Sequence, residues 1–364
     1  MQVQQGKAFI ALTQRLVNAS DPSDIPSSEK RLGRIDVLKR LLRAASFAHP
    51  GTTKQLRRRT AVHFAHCAFH LRAFRLWFGD SANPALRETL AQRPSLIMCV
   101  IHPYLNTDWR FEQKLEKISE HYRLLSGRLS ILRFAPPAFI ALGDVGGKIQ
   151  IRLHKYPYTE HEGELTVSLY RSELRLYSLT FTLGQIGGQL VAYAGALQGL
   201  GSSEALDIYR SLTHGMHGLR PRVLLVTAFR LLCCSLGVAR ILAISDRKRI
   251  CTNSYHNSAR QIFSSFDTAW IECGGVAVDD AFFELSPRLV RRAAKDIPSR
   301  KRAQYRRRYA MLDVIEQQIG DAVTHAARLQ TKGISSGMGQ ELQQRSFRNL
   351  NRIDSAAGRL HVPS

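Results

Sequence analysis

The feature that most constrains the fold is a series of short apolar stretches between residues 138 and 196, each bounded by turn-forming residues. The stretches either alternate polar and apolar residues or are continuously apolar, which is typical of β-strands packed on a core. They cover residues 138–142, 148–154, 164–170, 175–183 and 189–196. Glycine pairs at 146–147 and 187–188, Gly163 and residues 171–174 separate them. Because turns this short join neighbouring strands, the pattern predicts a consecutive antiparallel meander.

The segments after the meander predict helices around one more buried strand. Residues 203–213 predict a helix, and residues 219–236 predict a long apolar helix with Pro221 in its first turn and Gly237 at its end. The run ARILAIS at 239–245 predicts a buried strand. We then expect a helix near 257–266, an extended piece near 269–278 and a basic helix at 299–329. Together these elements predict an α+β fold with a twisted, mostly antiparallel sheet flanked by helices.

The chain divides into three regions by composition. Residues 1–59 predict a helical arm, in which RIDVLKRLLRAASFA carries apolar residues at helical spacing. Residues 60–330 predict a single α+β domain, with further helical stretches at 60–90 and 108–132. Residues 331–364 have low apolar density and predict a disordered tail.

Charge points to an anionic partner. The chain has 52 Lys and Arg against 29 Asp and Glu, a formal net charge of +23. Such an excess attracts phosphates, nucleic acid or anionic lipid. The 6 cysteines form no C-x-x-C pair and no zinc-ligand spacing, so we predict reduced thiols and no metal. No apolar run is long enough for a signal or a transmembrane segment, which predicts a cytoplasmic protein, free or peripheral at the inner membrane.

The order of elements over about residues 140–285 resembles the core of the GNAT-type acyl-CoA N-acyltransferases. In that fold two central strands diverge, and their amides, with a helix N-terminus, hold the pantetheine arm and pyrophosphate of the donor. The resemblance implies coenzyme A or another acyl or aminoacyl donor. The matching segment, AYAGALQG followed by THGMHGLRPRVLL, departs from the Q/R-x-x-G-x-G/A loop of those enzymes, because Arg210, His214 and Gly218 stand at other spacings.

Polar residues near this segment are the candidates for chemistry. The candidate bases for amine acylation are Glu162, Glu164, His214 and His217. The candidate ligand or anion contacts are Gln198, Arg220, Arg222, Asp246 and Asn257. They stand at strand ends and helix starts, where clefts commonly form. Arginine suits bidentate contacts with phosphate oxygens, although two arginines beside a helix start can also be merely solvated.

A second cluster of cations lies in DIPSRKRAQYRRRYAMLDVI, residues 296–315. Its cations are Arg300, Lys301, Arg302, Arg306, Arg307 and Arg308. Tyr305 and Tyr309 follow one another at one helical turn. The pattern favours contact with an anionic surface, either a phosphate backbone or lipid headgroups, with a solvated helix face as the alternative.

Several longer motifs resemble a bacterial family. IHPYLN, EHYRLL, EGELTVSLY, AYAGALQG, HGLRPRVLL and DIPSRKRAQYRRRY resemble the VirK/YbjX family, a domain of unknown biochemical function, over about residues 60–312. The resemblance implies a link to virulence, to the localisation of an outer-membrane virulence protein and to tolerance of cationic antimicrobial peptides. It implies no particular reaction.

Three functions are therefore open. The first is acyltransferase-type modification of a bacterial envelope component. The alternative is a non-enzymatic accessory protein that docks on an anionic membrane or on acidic partners. The third is binding of nucleic acid or tRNA, which the charge suggests, although no helix-turn-helix, zinc finger, RRM or KH signature is present.

Overall fold

A computed structural model describes residues 33–48, 54–133, 139–145, 149–155, 161–202, 204–250 and 265–331. The chain forms two compact units. The helical unit contains the described residues up to His102 together with Phe111–Gly127, and the sheet unit contains Pro103–Arg110 and the described residues from Arg128 onward. The chain therefore leaves the helical unit for eight residues, Pro103 to Arg110, returns to it, and leaves it again.

The helical unit consists of six helices over the described residues. They are α1 Arg34–Ala48, α2 Lys54–Phe69, α3 Leu71–Phe78, α4 Pro84–Gln92, α5 Leu96–Ile101 and α6 Phe111–Ser126. The apolar spacing of RIDVLKRLLRAASFA predicted the first of these, and the bounds of α1 confirm it.

Polar contacts with α6 hold the helical unit together. Trp77 donates its indole N–H to the hydroxyl of Ser119 at 2.7 Å. Asn83 caps α4 by accepting from the amide of Leu86, and its side-chain amide donates to the carbonyl of Ser119. Lys114 is buried and donates to the carbonyl of His102 at 2.8 Å. Each of these polar groups is satisfied inside the unit, as burial requires.

The sheet unit is built on eight strands. They are β1 Phe139–Val145, β2 Ile149–His154, β3 Leu165–Arg171, β4 Leu174–Ile186, β5 Gln189–Gly199, β6 Arg240–Ile244, β7 Val276–Ala277 and β8 Phe282–Leu285. Their order across the sheet is β1-β2-β3-β4-β5-β6-β8-β7. All neighbours are antiparallel except β5 and β6, which are parallel. The structure thus confirms a mostly antiparallel sheet in an α+β protein.

The predicted meander corresponds to β1 to β5, and the turn between β4 and β5 is where a glycine pair was expected. Gly187 and Gly188 both have positive φ and connect β4 to β5. This backbone region costs glycine little, so the pair permits the tight connection.

Four α-helices lie in the described part of the sheet unit. They are α7 Ala205–Gly215, α8 Pro221–Ser235, α9 Phe266–Glu272 and α10 Ser299–Thr331. Helix α8 is buried along most of its length, and its Phe229 packs on Phe181 of β4 with ring centroids 4.9 Å apart. Helix α10 contacts α8 and β1. The long apolar helix and the basic C-terminal helix of the sequence are therefore both present.

The extended piece expected near 269–278 is wrong in its first half. Residues Phe266–Glu272 form helix α9, and only Val276–Ala277 is a strand. The side chain of Ser265 caps α9, and Trp270 is buried with its indole N–H on the carbonyl of Ile244. Tertiary packing of the tryptophan thus fixes a helix too short to show a period. Most of the helix expected near 257–266 lies outside the described residues.

The boundaries predicted for an arm, a single domain and a tail stay predictions. Residues 1–32 and 332–364 lie outside the described part of the chain.

Candidate functional site

The turn between α7 and α8 is held in a left-handed conformation and fastened to α10. His217 and Gly218 have φ of 54° and 76°. Arg308 of α10 donates from Nε and from a terminal nitrogen to the carbonyl of His217, at 3.2 and 2.8 Å. A Cβ at Gly218 would meet side-chain atoms of Gln304 and Arg308. Glycine at this position therefore permits both the backbone conformation and the close approach of α10.

Helices α7, α8 and α10 surround a groove of about 1100 Å³. The basic residues lining it are Arg210, His214, His217, Arg220, Arg222, Arg300 and Arg307. Tyr177, Tyr209 and Gln304 also line it, and none of its described lining residues is acidic. We call this feature the arginine groove. It brings together cations that lie about 80 positions apart in the sequence, so two clusters predicted separately form one surface.

The carboxylate of Glu272 bridges the two arginines at the start of α8. Arg220 contacts one carboxylate oxygen at 3.0 Å, and Arg222 contacts the other at 2.5 Å. Arg222 is 19% exposed, whereas Arg220 is 66% exposed. Arg220 and Arg222, which were predicted to contact an anionic ligand, thus contact the carboxylate of Glu272 in α9. Arg222, which is mostly buried, is therefore not the solvent-exposed arginine that the alternative interpretation of this pair expects.

The groove lies at the carboxyl end of β5. Gly199 is the last residue of that strand, and a Cβ on it would contact the ring of Tyr177 and the hydroxyl on the ring of Tyr209. Those rings stack with centroids 4.7 Å apart. The Tyr209 hydroxyl donates to the carbonyl of Leu176 and accepts from the amide of Leu200 at 2.6 Å. Burial raises the pKa of Tyr209 above its ordinary value, so its hydroxyl stays protonated at neutral pH.

Strands β5 and β6 separate before β5 ends. Their last paired residues are Ala194 and Ala243, whereas β5 continues to Gly199 paired with β4 alone. A register shift at Gly195 marks the point of separation. A Cβ at Gly195 would collide with the carbonyl oxygen of Glu162 and approach Leu105. This bulge therefore requires glycine for close packing rather than for its own φ.

Residues 103–110 lie beside the point where the strands separate. The amide of Leu105 donates to the carbonyl of His161 at 2.7 Å, and that of Thr107 donates to the carbonyl of Lys248 at 3.0 Å. Trp109 packs edge-on to Tyr193 of β5. The segment thus connects the β5 side of the opening to the β6 side.

The two candidate carboxylates occupy different environments. Glu162 accepts a hydrogen bond of 2.7 Å from the side-chain amide of Gln198, near the end of β5. Glu164 is 2% exposed and accepts from the hydroxyl of Tyr104, which also contacts Thr182 at 2.8 Å. Glu162 and Gln198, predicted for different roles, therefore form one pair, whereas Glu164 lies in a buried polar cluster.

Asp246 caps the start of α9. Its carboxylate accepts from the amide of Phe266 and the hydroxyl of Ser265, and it forms an ion pair of 3.0 Å with Arg249. Its own amide donates to Asp267. These contacts give Asp246 a structural role, and it is not among the residues that line the arginine groove. Asn257 lies outside the described residues.

The basic cluster of α10 has members in three environments. Arg300 and Arg307 line the arginine groove. Arg302 and Arg308 donate to the carbonyls of Ile297 and His217. Lys301 and Arg306 are exposed. The cluster is therefore only partly a free cationic surface.

Sequence reasoning missed Glu272 and did not connect Arg210 with the other cations. Glu272 ends a short helix that had been expected to be extended, so no pattern placed it near Arg220. Arg210 was noted only as a departure from a loop motif. No local pattern pointed to Glu272, because its pairing depends on the packing of α9 beside α8.

Within the described residues, no group of three or more His, Cys, Asp or Glu side chains is placed to hold a metal ion. Over the same residues, no helix has the length and apolar content to cross a membrane.

Fold and groove together define an α+β protein whose mostly antiparallel sheet carries an arginine-lined groove at one strand end. The chain belongs to the bacterial family described as protein of unknown function (DUF535), which it matches over residues 52–321, and this confirms the VirK/YbjX resemblance. It is 30% identical to the uncharacterized protein YbjX of Escherichia coli K12, over 67% of this chain and 77% of that protein.

Other relatives give little functional information. An uncharacterized protein of Haemophilus influenzae is 30% identical over 60% of this chain and 74% of its own length. A Mannheimia haemolytica protein named membrane protein LapB is 25% identical over 45% of this chain and 72% of its own. No solved structure matches the chain.

Proposed function

We propose that this protein binds a phosphorylated acyl donor of the coenzyme A class in the arginine groove and transfers the acyl group to a bacterial envelope component. The observation that carries the proposal is the convergence of Arg210, Arg220, Arg222, Arg300 and Arg307 on one groove. Arginine forks match phosphate oxygens, and a surface with several of them suits a ligand with more than one phosphate.

The position of the groove in the sheet supports a transferase-type reading. A parallel pair of strands, β5 and β6, separates at a bulge, and the groove lies just beyond the end of β5. Helix α8, the second helix after β5, begins at Pro221, and its first residues line the groove. The same order of strands is expected of the GNAT-type core, where an acyl donor lies along the diverging strands and its phosphates lie at the next helix.

Candidate bases differ in their access to such a donor. His214 and His217 line the groove, and Glu162 lies near the end of β5 through its bond to Gln198. Glu164 is buried beneath Tyr104. We therefore favour His214, His217 and Glu162 over Glu164 as the groups to test for proton transfer, since a base must reach the attacking group.

The binding step is tested by calorimetric titration with coenzyme A. A double variant, Arg220→Gln with Arg307→Gln, should lower the affinity at least about tenfold, since each charge-assisted bond contributes roughly 1.5–3 kcal/mol. The matched control is Arg240→Gln, which removes an arginine paired with Glu284 outside the groove lining. No binding by the unaltered protein, or equal binding by the double variant, would refute the proposal.

The acceptor is tested in cells. Mass spectra of envelope lipids and proteins from cells with and without the intact chain should differ by one acyl-sized increment on a single component. The difference should also be missing in cells that carry the groove double variant. Identical spectra would refute the transfer step of the proposal. The binding step would still be decided by the titration.

A second function, docking of α10 on an anionic surface without catalysis, rests on exposed Lys301 and Arg306. The bonds of Arg302 and Arg308 to backbone carbonyls make it the weaker candidate. Neutral substitution of Arg306, Arg307 and Arg308 should abolish salt-sensitive flotation with anionic vesicles if this function holds. Unchanged flotation would eliminate it.

A further inference from the structure

Helices α2 and α3 expose large apolar side chains that no described neighbour covers. Phe69 is 86% exposed, Leu76 is 71% exposed and Val62 is 58% exposed. Val62 and Phe69 are seven residues apart and so lie on the same face of α2, opposite the buried Cys67. A single exposed apolar residue is ordinary, but a phenylalanine almost wholly in solvent, with two other exposed large apolar side chains within seven residues of it in the sequence, is not.

The same two helices carry only positive charge. Residues 54–78 contain Lys54, Arg57, Arg58, Arg59, Arg72 and Arg75, and no aspartate or glutamate. Arg57, Arg58, Arg59 and Arg72 are exposed. Arg58 and Arg59 line a small hollow with Val62, so cations and apolar side chains share one surface. We give the name α2–α3 face to the exposed residues Arg58, Arg59, Val62, Phe69, Arg72 and Leu76 of these two helices.

We propose that the α2–α3 face docks peripherally on an anionic lipid bilayer. An interface between headgroups and acyl chains accepts an aromatic or aliphatic tip while arginines contact the phosphates above it. The lack of acidic residues over the whole of 54–78 makes this face complementary to anionic lipid. A protein partner would also need a recess for Phe69, whereas a fluid bilayer needs none. This inference is independent of the arginine groove, which belongs to the sheet unit.

Flotation of the full chain with vesicles tests the proposal. The vesicles contain phosphatidylglycerol and phosphatidylcholine in equal proportion, or phosphatidylcholine alone. We expect the chain to float with the anionic vesicles and much less with the neutral ones. Phe69→Ser should lower the partition coefficient about tenfold, because the bilayer then no longer buries one aromatic side chain. Arg58→Gln with Arg59→Gln should remove most of the preference for phosphatidylglycerol.

The matched control is Val290→Ser, which removes another apolar side chain that is 91% exposed but belongs to the sheet unit. It should float as the unaltered protein does. Because Phe69 and Val290 are exposed, both variants should keep the circular dichroism spectrum and melting temperature of the parent, and these measurements separate lost docking from lost folding.

Two results would overturn the proposal. One is equal flotation of Phe69→Ser and the parent. The other is no flotation of the parent with the anionic vesicles. If light scattering then shows concentration-dependent self-association that Phe69→Ser abolishes, a second copy of the chain covers this face instead. Neither result bears on coenzyme A titration, so this inference and the proposed function fail separately.

Discussion

Glu272 is the residue whose role is most open to a direct test. Its carboxylate neutralises part of the charge that Arg220 and Arg222 bring to the arginine groove. An incoming phosphate must therefore compete with a carboxylate that is already in place, and a dianionic phosphate competes better than a single carboxylate does.

Glu272→Gln should raise the affinity for coenzyme A by up to about fivefold, because a partly exposed ion pair contributes about 0–1 kcal/mol. Calorimetric titration measures the change. Glu284→Gln is the control, since it breaks the similar pair with Arg240 outside the groove lining and should leave the affinity unchanged. A fall in affinity on Glu272→Gln would mean that the carboxylate positions the arginines for the ligand rather than competing with it.

His154 couples folding to pH. It is buried, its Nε2 lies 2.9 Å from the hydroxyl of Ser168, and burial lowers the pKa of its imidazole from 6.5 to about 4. Between these values the unfolded chain binds a proton that the folded chain excludes, so this group reduces stability as the pH falls from about 6.5 to about 4. Well above pH 6.5 it is neutral in both states and gives no slope.

Urea unfolding at several pH values checks this expectation. The free energy of unfolding should fall by up to about 1.4 kcal/mol per pH unit from this group within the window. His154→Gln should flatten that part of the curve, whatever its effect on overall stability. His214→Gln, at an exposed histidine, should keep the slope of the parent. The role given to His154 is wrong if both variants retain the slope of the parent.

At the scale of elements, the bulge in β5 depends on Gly195. Alanine there would place a Cβ against the Glu162 carbonyl, so either the 161–164 segment or the strand must move. We expect Gly195→Ala to destabilise the fold by about 1–3 kcal/mol, as overpacking of a core does. Thermal unfolding should show no such loss for Gly201→Ala, where a Cβ meets no atom within 4 Å. Equal melting temperatures for the two variants would contradict the account of the bulge.

The elements that sequence reasoning predicted well are those whose pattern is local. β1 to β5 follow alternation and glycine pairs, and α8 follows its apolar run between Pro221 and Gly237. Helix α9 was missed because a distant carboxylate, Asp246, and the burial of Trp270 fix it. The groove was predicted only in pieces, since Arg220 and Arg307 meet through the packing of α8 and α10, which no local pattern encodes.

At the scale of the whole molecule, the net charge of +23 will retain polyanions without selectivity. The binding constant for DNA should therefore fall steeply as salt is added, along a straight line when its logarithm is plotted against the logarithm of salt concentration. It should not depend on base sequence. Fluorescence anisotropy with two unrelated duplexes measures this. Arg220→Gln should change DNA retention no more than Arg123→Gln does, an exposed arginine of α6 in the helical unit. A selective loss for Arg220→Gln would instead favour the nucleic-acid alternative.

The detour of the chain through Pro103–Arg110 has a consequence for dissecting the protein. The sheet unit includes a segment that precedes α6, so no single truncation of the chain yields the complete sheet unit. A fragment that starts at Arg128 would lose the tyrosine hydroxyl bound to Glu164 and Thr182, together with Leu105 beside the β5 bulge. Truncation would thus remove one hydrogen-bond donor from a buried acid. Because segments of the two units alternate along the chain, neither unit corresponds to one continuous stretch of sequence.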